Sequence, residues 1–362
     1  MSASLPAFAV ATPGTEAILA DELAALGYPG EAVPGGVELL LAIAELVPLQ
    51  RRTRIASKLL VRVGTIEAEN FTQLRRRAAA LPWSSFLTKT TQIKVSTETH
   101  RCRLYHTGGI EENLLLAIAD AKLPAGPSAA TEERLVVRGD HNRFTISVDA
   151  SGELLHRRGY RTAVGEAPLR ETLAAAALRL AGYDGTMALV DPMCGSGSFL
   201  LEAAAIAAGV WPNATRPMAC QLWPICRGLS EPTPPQALSL PAPIIGRDRD
   251  ARVLAAVRLN LAQAPFAAGV QLEVGSVDSA RPPTERGLLV CNPPYGRRLG
   301  RQAEARATAK QLGRTLRQHF RGWRAAILLP APIATSLGLR SDVVHPLSNG
   351  GLRVELHVLT VK

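Results

Sequence analysis

The chain has 362 residues, 47% of them hydrophobic, and a formal net charge of +10. This apolar content supports two or three folded domains and excludes a disordered chain. No run approaches the roughly 18 apolar residues of a membrane span, and the N-terminus lacks signal-peptide features, so we predict a cytoplasmic protein. The five cysteines are scattered and form no CxxC pair. We therefore expect neither a metal site nor a disulfide framework.

Up to residue 149 short strands mix with helices, which predicts an α+β region. The predicted strands are 8–10, 37–41, 58–65, 91–97, 135–139 and 143–148, and the predicted helices are 15–26, 43–51, 71–81 and 111–121. Thr15 and Gly27 stand where an N-cap residue and a C-cap glycine belong. Residues 140–142 join the last two strands as a hairpin. We interpret the basic stretch 155–165 as a linker between domains.

From residue 168 onward the chain repeats strand–helix units, which predicts a mostly parallel, doubly wound sheet. The predicted strands are 187–190, 244–246, 270–274, 287–291, 324–329 and 352–361, and the predicted helices are 169–180, 198–208, 250–264 and 304–319. A proline-rich stretch, residues 209–243, interrupts this pattern. Because it contains Trp211 and Trp223, we predict that it is an ordered insertion loop.

A glycine-containing turn, DPMCGSG, begins at Asp191 after an apolar strand. Gly195 and Gly197 allow a ligand to approach the backbone closely, and the following helix directs free amides toward it. A dinucleotide site would have a third glycine where Leu200 stands. Asp191 would repel a pyrophosphate but suits the ammonium group of a methionine. The turn, with Cys194 at its centre, therefore favours S-adenosylmethionine over a nicotinamide cofactor.

Two further acids extend this candidate cofactor site. Asp248 lies just past a strand end, where a carboxylate accepts both ribose hydroxyls of a nucleoside. The alternative is that it only caps the next helix, as we expect of Asp250. Asp278 follows the next strand and is able to accept from an adenine amino group. Both acids would hold the nucleoside part of the cofactor.

The sharpest motif is Asn292-Pro293-Pro294-Tyr295 at the end of another apolar strand. Two consecutive prolines stop a sheet ladder and stiffen the backbone. The Asn292 oxygen and a proline carbonyl thereby become fixed acceptors, and Tyr295 offers a planar face. This arrangement suits a planar substrate with an exocyclic amino group whose lone pair is aimed at a methyl sulfonium. Catalysis would rest on positioning and electrostatics without an obligatory general base.

In this order, the four motifs resemble motifs I to IV of a class I methyltransferase of the amino-methylating kind. The resemblance implies a Rossmann-like domain in which a helix precedes the glycine turn and the last strand runs antiparallel. The Asn-Pro-Pro-Tyr motif occurs in enzymes that act on DNA adenine, protein glutamine and RNA guanine. It therefore leaves the methyl acceptor open.

Residues 57–160 resemble a THUMP domain, an RNA-binding module, preceded by a small ferredoxin-like unit. The stretches 93–95, 102–110 and 154–161 carry this resemblance. They are similar to the bacterial THUMP-containing guanine-N2 methyltransferases, relatives of the N-terminal half of the 23S ribosomal RNA large-subunit enzyme. The resemblance implies an α/β chain with a ferredoxin-like unit at 1–56, a THUMP domain at 57–160 and a methyltransferase domain at 161–362.

We therefore predict methyl transfer from S-adenosylmethionine to N2 of a guanine in structured RNA. We expect 23S ribosomal RNA as substrate and a monomeric protein, with guanosine 6 of transfer RNA as the alternative. A DNA adenine or protein glutamine methyltransferase and a non-catalytic RNA-binding factor are less favoured. The cations predicted to contact phosphates, each of which is alternatively a solvated surface charge, are Arg75, Arg76, Arg77, Lys94, Arg101, Arg103, Arg157, Arg158 and Arg161.

Overall fold

The computed structural model describes residues 4–127, 130–161, 169–295 and 302–362. The end of the predicted linker, residues 162–165, lies outside these ranges. Within them, every helix is too short or too polar to cross a membrane. The helices are α1 Glu16–Ala25, α2 Leu46–Arg52, α3 Phe71–Ala79, α4 Thr107–Ala119, α5 Glu171–Leu180, α6 Ser198–Ala207, α7 Ala251–Ala262, α8 Gln302–His319 and α9 Ala331–Ala334.

The strands form two sheets of seven. The first contains β1 Ser4–Val10, β2 Gly30–Val33, β3 Gly36–Ala42, β4 Lys58–Glu67, β5 Thr91–His100, β6 Thr131–Asp140 and β7 Arg143–Asp149. The second contains β8 Ala188–Asp191, β9 Ile244–Asp248, β10 Gln271–Val274, β11 Gly287–Cys291, β12 Arg324–Leu329, β13 Val343–Asn349 and β14 Leu352–Thr360.

The N-terminal sheet has the order β2-β3-β1-β4-β7-β6-β5, and its neighbours are antiparallel except for the parallel pair β5 and β6. The predicted α+β region is confirmed. His141 and Asn142 take left-handed φ angles of 48° and 65° at the predicted hairpin. The sequence pattern missed β2, because this four-residue edge strand is largely exposed and lacks an alternating apolar face.

The C-terminal sheet has the order β10-β9-β8-β11-β12-β14-β13. Its first five strands are parallel, and β14 is antiparallel to both β12 and β13. This confirms the doubly wound sheet and its antiparallel last strand. The pattern missed β13, an edge strand that contains Pro346, because sheets tolerate proline mainly at their edges.

Helices cover both faces of the C-terminal sheet. Along β11, Leu288 and Val290 pack into the core that includes α5, α6 and α7, whereas Leu289 and Cys291 pack into the core that includes α8. Helix α5 is buried over Glu171–Leu178, and its alanines contribute to the cores of both halves of the molecule. Apolar residues all around a helix are typical of such complete burial.

Residues 209–243, hereafter the strap, are ordered as predicted. Trp223 is fully buried in the core of the N-terminal half and packs edge to face with Phe86, their ring centroids 5.2 Å apart. The Cys220 amide donates to the Ala150 carbonyl over 3.1 Å. The strap therefore leaves the C-terminal half and completes the hydrophobic core of the N-terminal half.

A buried ionic network joins the two halves. Glu202 on α6 has a side chain with no exposed surface, and it accepts from Arg158 Nε at 3.3 Å and from Tyr160 Oη at 2.8 Å. Arg158 Nη2 donates in turn to the Arg54 carbonyl at 2.5 Å. The prediction that Arg158 contacts RNA phosphates is wrong, because its guanidinium is 0% exposed and holds this network together.

Arg161 is a second cation that the structure removes from the predicted RNA surface. Its side chain is 8% exposed, and its Nε lies 3.0 Å from Glu171 Oε1. Its Nη1 also donates to Ser198 Oγ at 2.5 Å, at the first residue of α6. The stretch predicted as a linker therefore enters the interface between the halves, where its charges are paired.

Candidate active site

The predicted site residues follow neighbouring strands of the C-terminal sheet. Asp278, Asp248, Asp191 and Asn292 stand at or just beyond the carboxyl ends of β10, β9, β8 and β11, which adjoin in that order. Since strands lie about 4.8 Å apart, the row extends over roughly 14 Å. The order of connection reverses at β8, and ligands of doubly wound sheets bind at such a switch point.

The two glycines of the turn have different roles, one in ligand access and one in helix packing. Gly195 has φ 51°, and a Cβ built on it would meet no heavy atom within 4 Å. Gly197 has φ 82°, and a Cβ there would come within 2.9 Å of Val257 on α7. Cys194 is buried, and its amide donates to the Arg247 carbonyl at 2.8 Å. Gly195 therefore leaves the open space that a ligand requires, while Gly197 lets α7 pack closely.

Asp191 is almost fully buried, with 2% of its surface exposed. Its Oδ1 accepts from the Met193 amide at 3.2 Å. Burial, reinforced by the nearby charge of Asp248 and opposed by the Met193 bond, raises the pKa of this carboxyl to about 8. A cation placed against Asp191 would stabilise the ionised form. The group thus suits a ligand ammonium.

Asp248 is held by backbone amides at the tip of β9. Its Oδ2 accepts from Gly195 N at 3.2 Å, and its Oδ1 accepts from Asp250 N at 3.0 Å. Asp250 is the N-cap of α7, since its side chain accepts from the Arg252 amide at 2.9 Å. The two acids therefore have different roles, and Asp248 is the one attached to the glycine turn.

Asp278 lies at the far end of the row, in a single helical turn after β10, and is exposed. A hydrogen bond from the Ser276 hydroxyl lowers the pKa of its carboxyl, which favours the ionised acceptor form. The neighbouring turn is tied to β9, because Arg247 donates to the Ser279 carbonyl at 3.0 Å. The structure places Asp278 on the same sheet edge as the other three residues.

The predicted acceptor motif ends β11 in an extended segment. Pro293 is buried, Pro294 is exposed, and Asn292 and Tyr295 are half-buried. The Tyr295 hydroxyl donates to Asn292 Oδ1. A carboxamide oxygen has two lone pairs, so this bond fixes the orientation of the Asn292 side chain and leaves one acceptor position. Sequence reasoning did not anticipate this internal bond.

Cys291 relates the acceptor motif to the glycine turn. Leu289 of β11 pairs with Val190 of β8, so Asn292 stands just beyond the level of Asp191. Burial and the charge of Asp191 raise the pKa of the fully buried Cys291 thiol well above its ordinary value. Cys291 is thus a neutral core thiol that lies close enough to Asp191 to respond to its charge.

Several N-terminal cations that were predicted to contact phosphates form ion pairs within the protein. Several of these cations already pair with carboxylates: Arg75 with Asp120 at 2.8 Å, Lys94 with Glu132 at 2.5 Å, and Arg103 with Glu69 at 2.6 Å. Sequence reasoning also missed an exposed cluster in which both His100 Nδ1 and His141 Nδ1 lie 2.9 Å from Asp140 Oδ1. This cluster surrounds the turn between β6 and β7.

The sheet order, the glycine turn at the switch point and the row of acids together define a Rossmann-like methyltransferase domain. The donor end fits S-adenosyl-L-methionine, because a buried carboxyl suits its ammonium, Asp248 suits its ribose and Gly195 leaves open space between them. The Asn292 motif adjoins this donor end, because β11 lies next to β8.

Residues 158–339 match the family described as the RMKL-like methyltransferase domain. Residues 7–59 match the RlmL ferredoxin-like domain. The chain therefore belongs to the RMKL-like methyltransferase family, and its N-terminal unit is ferredoxin-like, as predicted.

Relatives extend these matches over nearly the whole chain. A ribosomal RNA large subunit methyltransferase K/L from Syntrophotalea carbinolica is 34% identical over 98% of this chain and 53% of its own length. A putative RNA methyltransferase from Synechocystis sp. is 32% identical over 96% of this chain and 94% of its own. The chain thus spans about half the length of the K/L relatives that it matches. The crystal structure of SMU.472, a putative methyltransferase complexed with SAH, superposes with a TM-score of 0.89 at 26% identity, covering 100% of this chain and 99% of that one.

Proposed function

We propose that this chain transfers a methyl group from S-adenosylmethionine to the exocyclic N2 amine of a guanine in structured RNA, with 23S ribosomal RNA as the substrate. The observation that carries the proposal is the Asn292–Tyr295 motif beside the buried carboxyl of Asp191 at the sheet edge. The relatives named as ribosomal RNA methyltransferases support the choice of RNA.

On the donor side, each strand end holds one part of the cofactor. Asp191 pairs with the ammonium of the methionine moiety, Asp248 accepts from the ribose hydroxyls and Asp278 accepts from the adenine amine. Cys194, Gly195 and Gly197 shape the turn against which the methionine lies. When bound, S-adenosylmethionine supplies an electrophilic methyl group on its sulfonium.

On the acceptor side, Asn292 and Pro293 hold the guanine amine. The free lone pair of Asn292 Oδ1 and the Pro293 carbonyl accept its two hydrogens, and Tyr295 fixes the carboxamide and stacks on the base. Pro294 keeps the segment stiff. Because the hydrogens are held, the nitrogen lone pair turns toward the methyl group. The N–C bond would form as the C–S bond of the sulfonium breaks, S-adenosylhomocysteine would leave, and the methylated nitrogen would lose one proton to solvent. Catalysis thus consists of positioning and electrostatics. The base reaches this edge unpaired or flipped out of its helix.

The remaining assignments complete the proposal. Residues 57–160 form a THUMP domain that binds RNA behind the ferredoxin-like unit at 1–56, and residues 161–362 form the catalytic domain. The protein works as a monomer in the cytoplasm. The strap and the Glu202 network hold the RNA-binding half against the catalytic half.

Mapping N2-methylguanosine by mass spectrometry, in RNA from a strain that lacks the gene, tests this proposal. We expect one ribosomal site to lose its methyl group and to regain it with the wild-type gene but not with an Asn292→Ala gene. If the lost N2-methylguanosine were in transfer RNA instead, the substrate would be transfer RNA rather than 23S ribosomal RNA. If every N2-methylguanosine persisted, and the purified protein methylated DNA or a release factor rather than RNA, the proposal would be wrong.

A further inference from the structure

Positive charge is unevenly distributed along the chain. Residues 1–160 contain 18 lysines and arginines against 17 aspartates and glutamates, a net charge of +1. Residues 161–362 contain 23 against 14, a net charge of +9. Between residues 302 and 340 there are seven lysines and arginines and a single carboxylate, Glu304. The excess charge therefore centres on α8 and the segment that follows it.

Four cations lie on one exposed face of α8. Arg306, Lys310, Arg314 and Arg317 are spaced by four, four and three residues, which places them in one row along a helix. The opposite face, including Leu312 and Leu316, is buried against the sheet. The row is thus anchored from behind and presented outward.

These four side chains line a groove of about 590 Å³ whose other wall is formed by residues 336–338. Gly313 allows the segment on the other side of this groove to pack directly on α8, because a Cβ at this position would lie 1.8 Å from the Leu337 carbonyl oxygen. Any larger residue would force the turn at 335–337 away from the helix. The concave shape is therefore built into the packing of α8 rather than being an accident of side-chain positions.

Within the described part of the chain, no carboxylate lies within 4.0 Å of the charged nitrogens of Arg306, Lys310 or Arg314. Arg317 donates instead to the Gly338 carbonyl at 2.8 Å, which attaches it to the groove wall. This differs from the N-terminal half, where predicted RNA contacts such as Arg75 are paired with acids. Unpaired cations in a groove retain their full attraction for an anion.

The N-terminal end of α8 lies close to the proposed donor site. Glu304, in the first turn of α8, lies 3.7 Å from Arg249, the residue that follows Asp248. From Arg306 to Arg317 the row rises about 16 Å at 1.5 Å per residue. A row of this length is able to contact several consecutive phosphates of one nucleic acid strand.

We propose that this α8 groove binds the phosphodiester backbone of the substrate RNA beside the target nucleotide. The proposal rests on the proposed RNA methyltransferase function and adds a contact surface on the catalytic domain itself. Cations without carboxylate partners release condensed counterions when they meet phosphates, so the groove contributes affinity without reading sequence.

The test compares a Lys310→Glu/Arg314→Glu variant with an Arg258→Glu/Arg286→Glu control that makes the same charge change at exposed positions outside the groove. Affinity for a substrate RNA fragment is measured between 50 and 200 mM salt. The groove variant should bind at least about tenfold more weakly and lose about 1.5 from the slope of log K against log salt, since each phosphate contributes roughly 0.7 to 0.9. The control should stay within about twofold of wild type.

Donor affinity and the thermal midpoint, measured on the same variants, should match wild type, because neither residue touches the donor site or the core. If both variants weakened RNA binding equally, the effect would be net charge and the groove proposal would be wrong. If wild type methylated no RNA at all, the proposed function would fail instead, so the two failures are distinguishable.

Discussion

The two halves of the molecule are each built on seven strands, yet they differ in direction and charge. The N-terminal sheet is mostly antiparallel and its half is nearly neutral, whereas the C-terminal sheet is mostly parallel and its half carries a net charge of +9. The candidate catalytic residues and the excess charge thus lie in the same half. Under the proposed function, the N-terminal half would accordingly contribute shape and position more than long-range attraction for RNA.

This contrast depends on the halves being held together, and two features do so. The strap inserts Trp223 into the N-terminal core, and Glu202 forms a buried ion pair with Arg158 of the other half. Substitutions at this junction and at the donor site therefore separate the roles of the two halves.

The largest effect is expected from Arg158→Ala. Removing one partner of a buried ion pair leaves the other uncompensated, so the free energy of unfolding should fall by roughly 3–5 kcal/mol. Chemical denaturation measures this loss.

Its neighbour supplies the control. Arg157 pairs with Glu153 at 3.5 Å, and both side chains are 65% exposed. Arg157→Ala should therefore change stability by less than about 0.5 kcal/mol. Equal losses from the two variants would show that Arg158 is a surface cation after all.

A smaller loss of stability, with a specific loss of function, is expected from Gly195→Ala. A side chain at φ 51° costs about 1–2 kcal/mol, and its Cβ would enter the space assigned to the donor. Donor affinity by calorimetry should fall at least about tenfold, or roughly 1.4 kcal/mol.

Gly27→Ala is the matched control, because Gly27 has φ 93° and equally open space around its Cβ but lies in the N-terminal half. It should lose similar stability while donor affinity stays unchanged. Equal donor affinity in the two variants would show that Gly195 is not part of the donor site.

The smallest expected effect is the release of a proton from Asp191 when the donor binds. With a pKa of about 8, Asp191 is protonated at pH 7 in the free protein, and a bound ammonium lowers that pKa. Donor binding at pH 7 should therefore release close to one proton, measured as calorimetric heats in two buffers of different ionisation enthalpy. Asp191→Asn should abolish the release. A proton count near zero for wild type would contradict an ammonium beside Asp191.

The raised pKa has a second consequence for stability. The folded protein holds this proton between the ordinary carboxyl pKa of 3.8 and about 8, so the Asp191 contribution to stability falls as pH rises through that window. Asp191→Asn should flatten this dependence, as thermal unfolding at pH 5 and pH 8 would show.

Much of the C-terminal half was predictable from sequence because local signals and tertiary structure agree there. Strands β11 and β12 have the predicted bounds, and Asp250 caps α7 as expected. Repeated strand–helix units leave few possible topologies, which fixed the sheet edge where the site residues meet. The family to which the chain belongs was likewise evident from its motifs.

Other features were not predictable, because they depend on distant residues. Nothing local distinguishes the buried Arg158 from the exposed Arg157, since only the position of Glu202 on α6 decides it. The bond from Tyr295 to Asn292 and the close contact of Gly313 with the Leu337 carbonyl likewise arise from packing. The edge strands β2 and β13 were not predicted, because neither strand has a continuously buried face.

The most direct test of the account is Asn292→Ala, with Tyr295→Phe as its graded companion. Single-turnover methyl transfer to RNA should fall on the order of 10²–10³-fold or more in Asn292→Ala, because a positioned polar contact to the reacting group is removed. Tyr295→Phe should lose less, since it only frees the Asn292 side chain. Donor affinity should remain within about twofold of wild type in both variants. A loss of donor affinity as large as the loss of rate, or an unchanged rate, would contradict the assignment of Asn292 to the methyl acceptor.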